Sequence, residues 1–90
     1  MNSGNTETLL EFPCEFPVKA FGHATDTFEA KVLEIVLRHA RLAVDQPTQT
    51  RPSQGGKYQA VTITVIATSK SQLDAIYQDL TASPDILMAL

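Results

Sequence analysis

The stretch Tyr58-Gln59-Ala60-Val61-Thr62-Ile63-Thr64-Val65-Ile66-Ala67-Thr68 decides how the rest of this 90-residue chain is read. Val61, Ile63, Val65 and Ala67 fall on one side of an extended backbone, and Ala60, Thr62, Thr64 and Ile66 on the other, because successive side chains of a strand alternate in direction. β-branched residues dominate both sides, which suits a pleated surface packed on at least one face. A strand of this kind belongs in the middle of a sheet. The question for the flanking sequence is what pairs with it and what covers it.

Immediately upstream, Gly55-Gly56 allows the positive φ values of a tight hairpin turn. The stretch from 42 to 57 before it is poor in large apolar groups and contains Pro47 and Pro52, so it is expected to supply no more than an edge strand. Further upstream, Phe16, Val18 and Ala20 alternate with Pro17, Lys19 and Phe21, which predicts a strand from about Phe16 to Gly22. Pro13 and Pro17 hold the residues before them extended and forbid a helix there. Between these strands, Phe28, Val32, Ile35, Val36 and His39 form one stripe of a 3.6-residue period, widened by Leu33 and Leu37. Asp26 stands at the expected N-cap with Glu29 three residues on, and Arg38, His39 and Arg41 suit the negative end of the helix dipole.

Downstream, Ser69 and Gln72 form a capping box, and Leu73, Ile76, Tyr77 and Leu80 make the stripe of a short second helix. Ser83-Pro84-Asp85 ends it, and Ile86 to Leu90 reads as a final apolar strand. The order is strand, helix, edge strand, hairpin, central strand, helix, strand. That is the α+β, ferredoxin-like βαββαβ plan, a two-layer sandwich in which a four-stranded antiparallel sheet carries both helices on one face. Residues 1–8 are polar and aperiodic and are expected to be a flexible N-terminal tail, leaving 9–90 as a single domain.

Composition narrows the function classes. A chain of this length has room for one small core, and 43% hydrophobic residues are enough to build it. The single cysteine, Cys14, excludes disulfide, zinc-finger and iron–sulfur frameworks. A net charge of -3 with scattered basic residues argues against a phosphate-tracking surface, so no nucleic-acid partner is expected. The start lacks a cationic and apolar leader, and no run is long enough to cross a bilayer, so the expected location is cytoplasmic, with no membrane partner.

Candidate chemistry is sparse. His23 reads either as a contact for a carboxylate ligand or as an ordinary loop histidine, and His39 as a packed helix residue. Two distant histidines and one cysteine do not assemble a metal site. Gly55-Gly56-Lys57 lies between two strands rather than between strand and helix, and so reads as a hairpin and not a phosphate loop. Cys14 has no neighbouring cation to activate it. Ser53, Ser69, Ser71 and Ser83 read as turn and cap residues with no general base. The expectation is a protein that is not an enzyme and carries no cofactor.

Several blocks also resemble a known family. Leu9-Leu10-Glu11-Phe12-Pro13 leading into Lys19-Ala20-Phe21-Gly22, then Glu34-Ile35-Val36-Leu37-Arg38-His39-Ala40, then Arg51-Pro52-Ser53-Gln54-Gly55-Gly56-Lys57-Tyr58-Gln59-Ala60-Val61-Thr62 are similar to the YbeD-like family of small bacterial proteins. The resemblance covers residues 9–90 and implies a ferredoxin-like fold close to the ACT regulatory domain, such as that of phosphoglycerate dehydrogenase. It also implies a regulatory role, and the family label associates it with lipoic acid. Members often carry serine where this chain has Ala60, and serine or lysine near Gln54-Gly55, so a polar contact made there by other members is lacking.

By the same resemblance a small acid or amino acid would bind where the first strand passes into the first helix, at Gly22, His23, Ala24 and Asp26. A homodimer or a partner enzyme is the other expected associate. The residues themselves point to a second surface: Lys19, Phe21, Tyr58, Thr62, Thr64 and Ile66 on the uncovered sheet face, which a protein could cover. An RNA-binding domain of the same plan is the third alternative, and it lacks the alternating aromatics on which bases stack.

Overall fold

The computed structural model describes residues 10–46 and 48–90. The expected tail at 1–8, with Leu9 and Pro47, lies outside the described residues. The elements are β1 (Cys14–His23), α1 (Phe28–Leu37), β2 (Arg41–Leu42), β3 (Gln49–Pro52), β4 (Tyr58–Ala67), α2 (Lys70–Ala82) and β5 (Ile86–Ala89). β2 and β3 both pair with β4 and occupy successive stretches of one edge, so the order across the sheet is β2/β3, β4, β1, β5, with every pairing antiparallel. This is the ferredoxin-like arrangement read from the sequence.

The central strand behaves as its alternation requires. Val61, Ile63, Val65 and Ala67 are fully buried, and they meet Val18 and Ala20 of β1 on the same face. Phe28, Val32, Ile35 and Val36 of α1 and Leu73, Ile76 and Leu80 of α2 close the core from above. Each such side chain contributes about 1.5–3 kcal/mol by leaving water. No polar or charged side chain is fully buried among the described residues.

Several boundaries differ from the sequence reading, each for a physical reason. β1 starts at Cys14, ahead of Phe16, and continues past Gly22 to His23, because β4 is long enough to pair with it from Ala67 to Tyr58. Pro17 is tolerated inside it. Lys19 exchanges hydrogen bonds with Leu90 on the β5 side, so the alternation turns the Pro17 nitrogen to that same side, and the ladder to β5 does not extend to Pro17.

α1 is shorter than its stripe suggests. It ends at Leu37 with Arg38 as C-cap, and Arg41 lies in β2 rather than in a last helical turn. Edge pairing with β4 competes for that segment and wins, leaving Leu37 largely exposed. The N-cap is Thr27, not Asp26, and its side chain makes no capping hydrogen bond; Asp26 and Thr27 form a turn in which the Phe28 amide donates to the Thr25 carbonyl at 3.4 Å. α2, expected to be short, spans 13 residues and outlasts the 10-residue α1.

The second cap and the hairpin match the sequence reading. The Ser69 hydroxyl accepts from the Gln72 amide at 3.1 Å, and Gln72 Oε1 accepts from the Thr68 amide at 2.7 Å. Gly55 and Gly56 take φ values of 87° and 74°, and the Ser53 amide donates to the Tyr58 carbonyl at 2.7 Å across the turn.

Candidate functional site

Paired residues of adjacent strands share a face of the sheet, so the register assigns the uncovered face directly. Across it runs one row of Met88, Phe21, Ala60 and Arg51, and beside it another of Lys19, Thr62 and Gln49. Pro17 and Thr64 form the next row, and Glu15, Ile66 and Arg41 the one after. At the opposite end, His23 faces Tyr58. The interaction residues expected from the sequence, Lys19, Phe21, Tyr58, Thr62, Thr64 and Ile66, therefore do lie together on the surface opposite the helices.

The face carries an apolar row of Met88, Phe21 and Ala60 beside a polar one of Lys19, Thr62 and Gln49, with Arg41 and Arg51 on the edge strands. Met88 is half exposed and Leu90, which bonds to Lys19 through both backbone groups, is 61% exposed. A groove is lined by Lys19, Gln49, Arg51, Ala60 and Thr62. Lys19 and Arg51 stand on β1 and β3 with β4 between them, in neighbouring rows opposite Thr62 and Ala60, which sets their backbones roughly 12 Å apart at the usual strand and residue spacings.

The four expected ligand residues at the β1–α1 junction are neighbours at the end of β1 and the turn that follows it. Gly22 is buried, and the Phe28 ring occupies the space a side chain would need there; the Asp85 carbonyl oxygen lies 2.6 Å from where its Cβ would be. His23, Ala24 and Asp26 are exposed. The His23 ring packs against Tyr58 with centroids 5.2 Å apart, and the Ala24 amide donates to the Lys57 carbonyl at 2.9 Å, so the junction is tied to the end of the hairpin. Gln59 reinforces the tie through its Nε2, which donates to the Thr25 carbonyl at 3.1 Å.

A polar cluster that sequence reasoning missed joins the segment after α1 to α2. His39 Nε2 and Asp79 Oδ2 are 2.6 Å apart, and the Gln72 side-chain amide donates to the His39 carbonyl at 2.9 Å. The 3.6-residue stripe places His39 on α1, whereas the structure sets it beyond the helix with its ring on α2. Residues 40 and 33 positions apart make these contacts, so no local pattern announces them. Burial pushes the Tyr77 hydroxyl on α2 above its ordinary pKa. Among the described residues no group of three or more His, Cys, Asp or Glu converges as metal ligands would, and no helix is long and apolar enough to cross a membrane.

This architecture, a βαββαβ sandwich with one sheet face bare, is the ferredoxin-like fold, and ACT domains are among its structural neighbours. The ACT domain from the GTP pyrophosphokinase of Chlorobium tepidum superposes with a TM-score of 0.66 over 84% of this chain and 94% of that one, at 4% identity. The protein HP0495 from Helicobacter pylori superposes at 0.63 over 100% and 98%, at 13% identity. The family model described as "Protein of unknown function (DUF493)" matches residues 7–90. Relatives include the UPF0250 protein of Chromobacterium violaceum, 42% identical over 98% of this chain and 99% of its own length, and that of Paraburkholderia phytofirmans, 41% identical over 100% of both. The chain belongs to this DUF493/UPF0250 family, the YbeD-like proteins that its sequence resembles.

Proposed function

We propose that this protein is a non-catalytic regulatory module that acts by docking, with the open face of its sheet as the contact surface. The observation that carries the reading is the second face of β4: Ala60, Thr62, Thr64 and Ile66 are partly exposed and line up with Phe21 and Lys19, with no helix over them. A central strand with apolar and threonine side chains on its uncovered side is the kind of surface that proteins bury against one another. The ACT-like fold supports a regulatory role by analogy of architecture alone. The test is affinity purification of the tagged protein from its source organism. Replacing Thr62 and Thr64 together by glutamate should abolish co-purification of the partner while leaving thermal melting intact; unchanged co-purification would sink the reading.

A second reading, a sensor for a small acid or amino acid at the β1–α1 junction, is favoured by the exposed His23 ring beside Tyr58 and the adjacent Lys57. Because Phe28 fills the space over Gly22, such a ligand would touch His23, Ala24 and Asp26 and not Gly22 itself. Lipoate, octanoate and free amino acids at saturating concentration should then shift the His23 and Ala24 resonances. If spectra and melting stay constant with all of them, this reading falls.

A further inference from the structure

The charges of this acidic chain are sorted between its two layers. Its basic residues are seven lysines and arginines. Lys31, Arg38 and Lys70 lie on the helical layer, each in an ion pair with Asp85, Glu34 and Asp74 respectively. Lys19, Arg41 and Arg51 lie on the open sheet face, and Lys57 lies at the hairpin; among the described residues none of these four forms an ion pair. Glu15 is the only carboxylate that the register places on the same face among the described residues. A chain with a net charge of -3 thus presents a face on which three cations meet one carboxylate.

We infer that the partner of this face is an acidic segment of another protein, one that sets apolar side chains on the Met88–Phe21–Ala60 stripe and carboxylates at Lys19 and Arg51. The inference rests on the docking role proposed above and specifies the partner's chemistry. Unpaired cations beside an apolar stripe select a partner of opposite charge, because like charges brought together in an interface cost several kcal/mol.

The same observations disfavour the other occupants. A second copy laid face to face would oppose three cations to three cations, with one carboxylate per copy to offset them. Single-stranded RNA would meet the positive charge, but it needs free aromatic platforms. Here Tyr58 is engaged with His23, Phe21 is partly buried, and the rest of β4 offers alanine, threonine and isoleucine.

The experiment is photo-crosslinking in the source organism, with a benzophenone amino acid in place of Thr64 and, as control, in place of Gln78 on the exposed side of α2. Mass spectrometry of the Thr64 adduct identifies the segment in contact. The expected result is a peptide of another protein in which acidic residues outnumber basic ones. Purified complex should then lose at least about tenfold in affinity with the Lys19→Glu, Arg51→Glu double variant and little with Lys19→Arg, Arg51→Lys. An adduct with RNA, with a second copy, or with a neutral or basic segment overturns the inference and leaves the docking face standing. An adduct pattern no different from the Gln78 control overturns the docking face as well.

Discussion

The ring of Phe28 lies directly over the α-carbon of Gly22, so that the first buried residue of α1 sits where a β1 side chain would otherwise project. The contact joins the strand and the helix at the junction where the sequence suggested a ligand. It also gives the glycine a structural reason, since Phe28 is among the largest fully buried side chains. Gly22→Ala should destabilise the protein by about 1–3 kcal/mol through overpacking. The Phe28→Leu background should absorb part of that cost, because the smaller side chain vacates the space. Urea denaturation of the four proteins in the cycle checks both statements, and an additive cycle would refute the contact.

Gln72 ties the start of α2 to the segment after α1. Its backbone amide is capped by Ser69, its Oε1 accepts from the Thr68 amide, and its Nε2 donates to the His39 carbonyl. Ser69→Ala should cost about 1 kcal/mol as a lost cap. Gln72→Ala should cost about 1–3 kcal/mol, because it removes two hydrogen bonds and strands the part-buried His39 carbonyl, while water takes over the exposed Thr68 amide. Chemical denaturation should rank the two in that order.

The exposed pair Lys31–Asp85, 3.0 Å apart, joins α1 to the turn before β5. With both side chains more than two-fifths exposed, solvent screening removes most of its value, and Lys31→Met should change stability by less than about 0.5 kcal/mol. A loss well beyond that, measured by urea denaturation in low salt and recovered in none of the salt series, would show that the lysine contributes by packing.

Tyr77 makes stability fall at alkaline pH. Its hydroxyl pKa is raised in the folded state by burial, so the folded protein keeps the proton where the unfolded chain has begun to lose it. Stability from this group is fully present below the ordinary tyrosine value and is lost as pH rises through it toward the folded value. Tyr77→Phe should flatten the decline in melting temperature above about pH 10 relative to the parent. Parallel melting curves for the two proteins would contradict the assignment.

The sheet-face cations should be dispensable for folding. Lys19 and Arg51 make no ion pair among the described residues, and Lys19→Glu with Arg51→Glu should shift stability by no more than about 0.5 kcal/mol per site. A larger loss, seen in the urea midpoint, would mean that these side chains support the sheet itself.

How far the chain could be read in advance follows from the range of each interaction. The β4 alternation, the glycine turn and the Ser69 cap depend on residues within a few positions, and backbone sterics impose them wherever the chain is placed. They were enough for the βαββαβ order and for most of the core. The end of α1 was different: the stripe continued to His39, but Arg41 and Leu42 found a better partner in β4, and only a strand more than twenty residues away could terminate the helix there. The His39–Asp79 contact and the fit of Phe28 over Gly22 belong to the same group, being set by how two layers meet.

The open face divides along the same line. Local alternation placed Thr62, Thr64 and Ile66 together, since neighbours along a strand alternate by geometry alone. Which charges join them was set by pairing: Arg51 and Arg41 reach that face through register with Ala60 and Ile66, and a shift of one residue would turn them to the other side. Net charge, which sums over the whole surface, concealed a cationic face on an acidic chain until the sheet was assembled.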